Sequence, residues 1–446
     1  MLVNKKRISL ILLLVLLNSV IPISASHSVG NGVCTSTVNS ASGVVVANSG
    51  GNCYVAFTAT GTNSWTAPSG TSSVDLLMIA GGGAGGSGAW GGGGGAGELV
   101  SYTGYAVSSA SAVNLSIGRG GSSGAASLDR TLNRSESGTA TWVGSASGVV
   151  AQGGGAGASY AYSYGSTFTN GGDGGSGGGG SEDTAASSGG SSTKTSSGSR
   201  TGYGNIGGNG AGTTTRSGGG GGGSGASGST SSSQAGGNGG NGTNLFASWL
   251  STISSQMAAD WQSATSTGYI AAGGGGGGNT SSGNGGTGGG GNGISTATSG
   301  NGGSGISNTG SGGGGTGYYN SNTAQKGGDG GSGLIIIKYA IITAAVNSFN
   351  LTANATLATY RNNSTINISV NAPAKVTFKA KGVVITGCKN KLATGSGSTY
   401  TATCNWKPSV RGQVNLTADV VPTGPWGNVS ASPLSIWVAN RSGTRV

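Results

Sequence analysis

The sequence predicts an all-β chain in two parts. Short strands scaffold packed glycine segments, and a glycine-poor β-sandwich follows residue 345. Three observations predict this. First, the apolar strand Val74-Asp75-Leu76-Leu77-Met78-Ile79 runs straight into Gly81-Gly82-Gly83-Ala84-Gly85-Gly86. The event recurs after Val149-Val150-Ala151 and after Ile270-Ala271-Ala272, and is reversed where Gly330-Gly331-Ser332-Gly333 feeds Leu334-Ile335-Ile336-Ile337-Lys338-Tyr339. Second, glycine supplies 100 of 446 residues while only 7% are charged. That excludes a charge-driven disordered chain, and the lack of a strict Gly-X-Y period excludes collagen. Third, glycine drops and β-branched residues rise beyond about 345.

In chain order, Lys5-Lys6-Arg7 followed by the apolar run Ile8–Val20 and Pro22-Ile23-Ser24-Ala25 reads as a cleaved secretory signal over 1–25, with an uncleaved anchor as the alternative. No second apolar span follows, so no membrane span is expected after cleavage. Removing Lys5, Lys6 and Arg7 lowers the formal charge from +11 to +8. The remaining Lys and Arg form no tract, and Arg119-Gly120-Gly121 stands alone, so a solvated surface is expected rather than nucleic-acid contact. Four cysteines fall in two local couples, Cys34 with Cys53 and Cys388 with Cys404. Neither has a CxxC spacing and the lone His27 completes no metal site, so disulfides and an oxidising compartment are expected.

Residues 27–60 read as an N-terminal β segment tied by its disulfide. Val44-Val45-Val46 and Tyr54-Val55-Ala56-Phe57 flank the turn Asn48-Ser49-Gly50-Gly51. Residues 61–340 read as the glycine-rich domain, with further strands at Glu98–Tyr102, Ala112–Ile117, Ala140–Val143 and Val149-Val150. Leu245, Trp249, Ile253, Met257 and Trp261 recur at helical spacing, which predicts one amphipathic helix near 244–264, capped by Thr243 or Asn244 and closed by Gly268. Over 345–446, seven candidate strands are Ser348–Leu357, Thr365–Val370, Lys375–Lys379, Val383–Thr386, Thr399–Asn405, Gln413–Val420 and Pro433–Val438, a number that suits a β-sandwich.

Fixing a backbone residue costs about 1–2 kcal/mol, and glycine lies at the expensive end. A lone glycine run has no side chains to bury in return and stays disordered. Polyglycine II, with three residues per turn and no internal hydrogen bonds, must pair sideways. Each lateral bond returns about 0.5–1.5 kcal/mol, so several runs side by side roughly break even. Triplets such as Gly236-Gly237-Asn238-Gly239-Gly240-Asn241 and the string Gly-Gly-Asp-Gly-Gly-Ser-Gly at 171–177 and 327–333 put their non-glycine positions on one face.

Here the residues carry a resemblance. Trp65-Thr66-Ala67-Pro68-Ser69-Gly70, Leu77–Gly83, Asn114–Gly121 and Gly328–Tyr339 together look like the glycine-rich domain of bacterial surface proteins and phage tail-fibre adhesins, over roughly 61–340. The resemblance implies a jelly-roll-like β-sandwich with inserted polyglycine II helices, an architecture also known in receptors of the anaplastic lymphoma kinase family. It implies too that loops at the helix tips contact a surface. Thr399–Trp406 through Gly412–Ala418 resembles late strands of bacterial Ig-like domains, although the cysteines are too close for the usual inter-sheet bridge of antibody domains. The fold class expected is therefore all-β, with one short α-helix in the glycine-rich domain and a separate Ig-like β-sandwich behind it.

No catalytic constellation is apparent. His27 is the one histidine, beside the cleavage site, and the ten acidic residues are dispersed, with only Glu182-Asp183 adjacent. An enzyme is not expected, nor a cofactor or metal. Asn350, Asn354, Asn362, Asn363, Asn367, Asn415, Asn428 and Asn440 head N-x-[ST] sequons or simply face a strand's polar side. The binding candidates are aromatic rings in polar loops: Trp90, Tyr160, Tyr162, Tyr164, Tyr318 and Tyr319. Tyr and Trp bring contact area at low rotamer entropy, though such rings also suit capping the glycine array. The function expected is a secreted or cell-surface adhesin-type protein contacting a glycan or protein. The alternative is a coat or matrix protein that self-associates through glycine faces, with ice binding a distant third.

Overall fold

Strands buried on both faces organise the first domain. The computed structural model describes residues 34, 37–38, 43–68, 71–108, 111–126, 134–159, 169–181, 187–212, 216–318, 325–341, 349–353, 357–396, 399–423, 429–431 and 433–440. The expected signal segment and His27 lie outside them. The strands are β1 (Thr37–Val38), β2 (Val44–Ser49), β3 (Asn52–Phe57), β4 (Gly61–Thr66), β5 (Ser73–Ile79), β6 (Leu99–Ala106), β7 (Ala112–Ile117), β8 (Thr141–Val143), β9 (Val149–Ala151), β10 (Arg200–Tyr203) and β11 (Leu334–Ala340). They form a five-stranded sheet, β1-β4-β7-β8-β9, and a six-stranded sheet, β10-β6-β5-β11-β3-β2. The pairings are antiparallel, with Ile336 opposite Leu77 on β5 and Ala56 on β3. β2 and β3 thus pair into the large sheet, so the described strands between 43 and 60 are built into this sandwich.

Alternation sorts the side chains. Val55, Phe57, Leu76, Met78, Val100, Ile335 and Ile337 meet Trp65, Leu115, Ile117 and Val143 of the small sheet. Their neighbours Ala56, Leu77, Ile79, Leu99, Leu334 and Ile336 point the other way, onto Leu250, Ile253, Met257 and Trp261. Those last residues lie on two helices, α1 (Ala247–Ser254) and α2 (Ala259–Thr265), where one had been expected. The break is at Ala258, which is extended (φ −61°, ψ 151°). It seats Met257 between the helices and lets Trp261 reach the same sheet face as Leu250 and Ile253. Neither Thr243 nor Asn244 caps α1, whose N-cap is Phe246 with no side-chain cap bond. Gly268 does close the island, at φ +80° with its amide on the Thr265 carbonyl.

Between strands the glycine segments make no internal ladder and pair sideways. Gly81 and Ala84 donate to Thr139 and Glu136, Gly82 and Gly85 to Gly331 and Gly328, and Gly83 and Gly86 to Gly95 and Gly92. Residues three apart therefore address the same neighbour, and successive residues address different ones. That is the signature of a threefold extended helix. Segment 91–98 sits inside the bundle. Its amides donate to 310–316, 152–158 and 219–222, while its carbonyls accept from 80–86, 176–179 and 274–277. Six segments surround it, and glycine at 91–95 and 97 allows that approach, because a Cβ at any of these positions would fall on neighbouring backbone.

At the bundle surface a missing neighbour is replaced by a side chain. Asn209 Oδ1 accepts from Gly189 N (3.0 Å), Asn238 Oδ1 from Asn284 N (2.8 Å), Asn241 Oδ1 from Thr287 N (2.9 Å) and Asp173 Oδ1 from Ser191 N (2.6 Å). Asp329 Oδ1 accepts from both the amide (2.8 Å) and the hydroxyl (2.6 Å) of Ser123. This accounts for Asn and Asp at the outward position of the triplets. Burial pushes the Asp329 carboxyl up, but the Ser123 bonds and the Lys326 ammonium outweigh that and hold it below its usual value. A carboxyl lowered on folding stabilises above its unfolded pKa, and loses that contribution as pH falls through the folded value. Unfolding by urea should therefore show stability level from pH 7 to 5 and falling below about pH 4. Asp329→Asn, which keeps the acceptor, should make the fall shallower, by about 1 kcal/mol or less because the side chain is half exposed.

The second domain has β12 (Phe349–Ala353), β13 (Leu357–Thr359), β14 (Ser364–Val370), β15 (Ala374–Ala380), β16 (Val383–Val384), β17 (Lys391–Leu392), β18 (Thr394–Ser396), β19 (Thr399–Trp406), β20 (Gly412–Pro422), β21 (Val429–Ser430) and β22 (Leu434–Ala439). One sheet runs β12-β14-β19-β18 and the other β13-β22-β20-β15-β16, with β17 on β15 and β21 on β20. β13 pairs with β22 in parallel. Ile366, Ile368, Phe378, Trp406, Val414, Leu416 and Ile436 fill the space between the sheets. On the outer faces, Thr403 bonds Asn367 and Ser435 bonds Asn415 across strands (both 2.8 Å), so these two sequon asparagines serve the polar face.

Both disulfides form as expected, Cys34–Cys53 and Cys388–Cys404. Each crosses its sandwich. Cys34 precedes β1 of the small sheet and Cys53 lies on β3 of the large one. Cys404 is on β19, whereas the Cys388 carbonyl accepts from Phe378 of β15 in the facing sheet. Closing loops of this length stabilises by about 3 kcal/mol each in the chain-entropy account.

Candidate recognition site

The bundle has a sheet end and a far end. Segment 80–86 leaves β5 at Ile79, segment 91–98 enters β6 at Leu99, and segment 152–158 follows β9. Their far ends are Gly86, Gly91 and Ala158. Gly310 abuts Ile79 and Ala80, so segment 310–316 starts at the sheet and has its far end at Thr316. Ser87 ties far ends together: its amide donates to Ser159 Oγ (3.1 Å), its hydroxyl to the Gly124 carbonyl (2.9 Å), and its Oγ accepts from Gly327 N (2.9 Å).

At this end Trp90, Tyr318 and Arg216 converge. The Trp90 and Tyr318 rings lie 5.1 Å apart at 31°. The Arg216 guanidinium sits 5.4 Å from the Trp90 ring. Trp90, read from sequence as an exposed ring, is only 3% exposed. Tyr318 and Arg216 cover it, so it acts as a platform, and the accessible groups are the half-buried Tyr318 and the exposed Arg216. Both Trp90 (φ 42°) and Arg216 (φ 49°) are left-handed, which turns their side chains out of the chain path. Sequence reasoning missed Arg216; its one signal was a lone cation beside Ser217 and a glycine run. Beneath it, Ser217 Oγ is buried without a hydrogen-bond partner among the described residues, as is Gln325 Oε1.

Tyr160, Tyr162, Tyr164 and Tyr319 lie outside the described residues. The described residues that flank them stand at the far end: Ser159 on Ser87, Thr169 accepting from Ser181 N, and Gln325 accepting from Gly88 N. A groove of about 600 Å³ runs between Arg134–Ser137, Ala156–Ser159 and Asn170–Gly172, and one wall ends at the residue before Tyr160. Within it Glu136 meets Arg119 at 3.1 Å, and that guanidinium holds its carboxyl below the usual carboxylate range.

An extended threefold bundle carried on a β-sandwich, with its turns gathered at the far end, is the arrangement the opening and closing motifs implied. Residues 58–340 match the glycine-rich domain family over more than half the chain. The chain belongs to that family. No curated protein matches it. The glycine-rich domain holds one buried charge pair that the sequence did not announce. Glu98, fully buried, accepts from Arg200 Nη2 (2.8 Å), Gln152 N (2.9 Å) and Thr195 N (3.1 Å). Arg200 also donates to the Val150 carbonyl (2.8 Å) and to the Thr195 carbonyl. These bonds join the root of β6 to β9 and β10 and are fully used within the fold, so the pair is structural. Among the described residues no cluster of His, Cys, Asp and Glu could hold a metal, and no helix is long and apolar enough to cross a membrane.

Proposed function

We propose that the chain is a secreted or cell-surface recognition protein of adhesin type. The far end of the glycine bundle contacts a glycan or protein, and the C-terminal sandwich serves as stalk or docking module. The observation that carries the reading is the Trp90–Tyr318–Arg216 cluster at the end of a rigid bundle, opposite the sheets. A ring and a guanidinium on a fixed platform offer stacking and directed hydrogen bonds at little ordering cost. The two disulfides support an oxidising, extracellular setting. The strand order of the C-terminal domain supports its Ig-like reading, since it follows the immunoglobulin division into an A-B-E-D sheet and a G-F-C sheet.

The test is binding of the full-length protein to cells and to a glycan panel. Tyr318→Ala and Arg216→Ala should each weaken binding about 10-fold or more, as central aromatic and Arg contacts do. Tyr160→Ala, Tyr162→Ala and Tyr164→Ala should add to the loss, with unfolding midpoints unchanged. Binding absent from every panel, together with scattering that rises with concentration, would favour the self-associating matrix protein instead.

A further inference from the structure

Charge is not shared evenly between the domains, although no tract marks it. Residues 27–344 carry eight Lys and Arg against nine Asp and Glu. Residues 345–446 carry ten against one, Asp419, a formal +9. Five of the ten cations gather at one edge of the seven-stranded sheet. Lys375 and Lys379 point outward from β15, and Lys381, Lys389 and Lys391 follow on or beside the edge strands β16 and β17. All but Lys379 are exposed. Lys379 takes Asp419 at 2.6 Å, and no other carboxylate pairs with these lysines among the described residues.

The same edge exposes aliphatic side chains. Lys375 lies opposite Leu392 on one side and Val421 on the other, and these are 60% and 44% exposed. Lys379 lies opposite Val384, 41% exposed, and Val383 at the tip is 71% exposed. Registered partners share a sheet face, so Lys375 and Lys379 alternate with Leu392, Val421 and Val384 on one surface, while Val383 (opposite Ala380) and Lys391 (opposite Val376) stand at its rim. A water-facing edge is blocked against pairing by charges, proline, bulges or short strands. Leu392 and Val383 contribute nothing to that purpose.

We propose that this edge docks the protein on a bilayer rich in anionic lipid. The ammonium groups would lie at the headgroups and Val383, Val384 and Leu392 would enter the interface. The inference rests on the docking role given to the C-terminal domain above. Charge alone would suit any polyanion; the interleaved aliphatic groups select a lipid surface over an acidic polysaccharide. Attachment is peripheral and needs no spanning segment.

The experiment is co-sedimentation of the full-length protein with phosphatidylcholine vesicles, with and without one-third phosphatidylglycerol, at low and high salt. Binding should require phosphatidylglycerol and fall at high salt. Lys375→Gln, Lys381→Gln and Lys391→Gln combined should weaken it roughly 100-fold. Leu392→Ser with Val383→Ser should weaken it severalfold without altering the salt dependence. Tyr318→Ala and Arg216→Ala should leave vesicle binding unchanged, which separates this test from that of the far end. Equal binding to neutral vesicles overturns the proposal, as does no vesicle binding. Retention on an acidic polysaccharide that ignores the Leu392 and Val383 changes would overturn it in favour of that polymer. Unfolding midpoints of all variants should match the parent.

Discussion

Alanine at Gly93 is expected to unfold the glycine bundle, costing about 3 kcal/mol or more. The residue lies mid-way along segment 91–98, bonded to Gly219 and Gly179. An added Cβ would fall inside the Gly274 carbonyl, with Gly221 N at 3.0 Å on the other side. Both obstacles are backbone and are themselves locked in lateral bonds, so neither can rotate away as a side chain would. Gly198→Ala is the contrast. That glycine also lacks a Cβ and has φ +57°, but nothing lies within 4 Å of the added carbon. It should cost only the left-handed penalty, about 1–2 kcal/mol. Urea unfolding followed by tryptophan fluorescence separates the two. Equal effects would show that backbone conformation, not lateral approach, governs these glycines. Amide exchange in the parent should agree, with 92–97 exchanging only through global unfolding.

Arg200→Met should be nearly as damaging, at about 3–5 kcal/mol, because it leaves the Glu98 carboxylate buried with no cation. The two remaining amide donors, Gln152 N and Thr195 N, hold the carboxylate but do not neutralise it. Adding Glu98→Gln to Arg200→Met should restore part of the loss, since a neutral amide fits where an unpaired charge does not. Arg119→Ala removes an ion pair whose partners are 56% and 53% exposed, and should cost less than about 1 kcal/mol. The cycle is read from urea midpoints. A double variant no better than Arg200→Met alone would mean that the lost hydrogen bonds to Val150 and Thr195, rather than the stranded charge, set the cost.

The scaffold was legible where side chains declare themselves. Val74–Ile79 and Leu334–Tyr339 became β5 and β11 within a residue, because continuous apolar runs bounded by glycine leave little choice. The cysteine couples were legible from spacing. The helical island was legible as apolar periodicity, but its break at Ala258 was not, since only the sheet beneath it rewards seating Met257 and Trp261 separately. What glycine hides is its neighbours. Nothing in Gly91-Gly92-Gly93 names Thr316, Ala158 and Gly219 as partners, because lateral bonding is by backbone and leaves no residue signature. The same blindness covered Glu98, whose cation is 102 residues on, and Trp90, whose burial depends on Tyr318 and Arg216. The basic C-terminal domain was readable from the letters alone. It stayed hidden because charge was summed over the chain, where a near-neutral glycine-rich domain dilutes it.

The position of β11 has a consequence for how the molecule is made. This last strand of the first domain inserts between β5 and β3, which are synthesised about 260 and 280 residues earlier, the separations of the paired Ile336–Leu77 and Ile336–Ala56. Until Leu334–Ala340 arrives, the large sheet is a three-stranded piece, β10-β6-β5, and a separate β2-β3 hairpin, each with an exposed inner edge, and the bundle segments that donate to 310–331 have no acceptors until those residues are made just before it. A chain delivered amino-terminus first through a narrow channel would keep its first domain thread-like for most of that domain's passage and close it only as β11 emerged, ahead of the second domain.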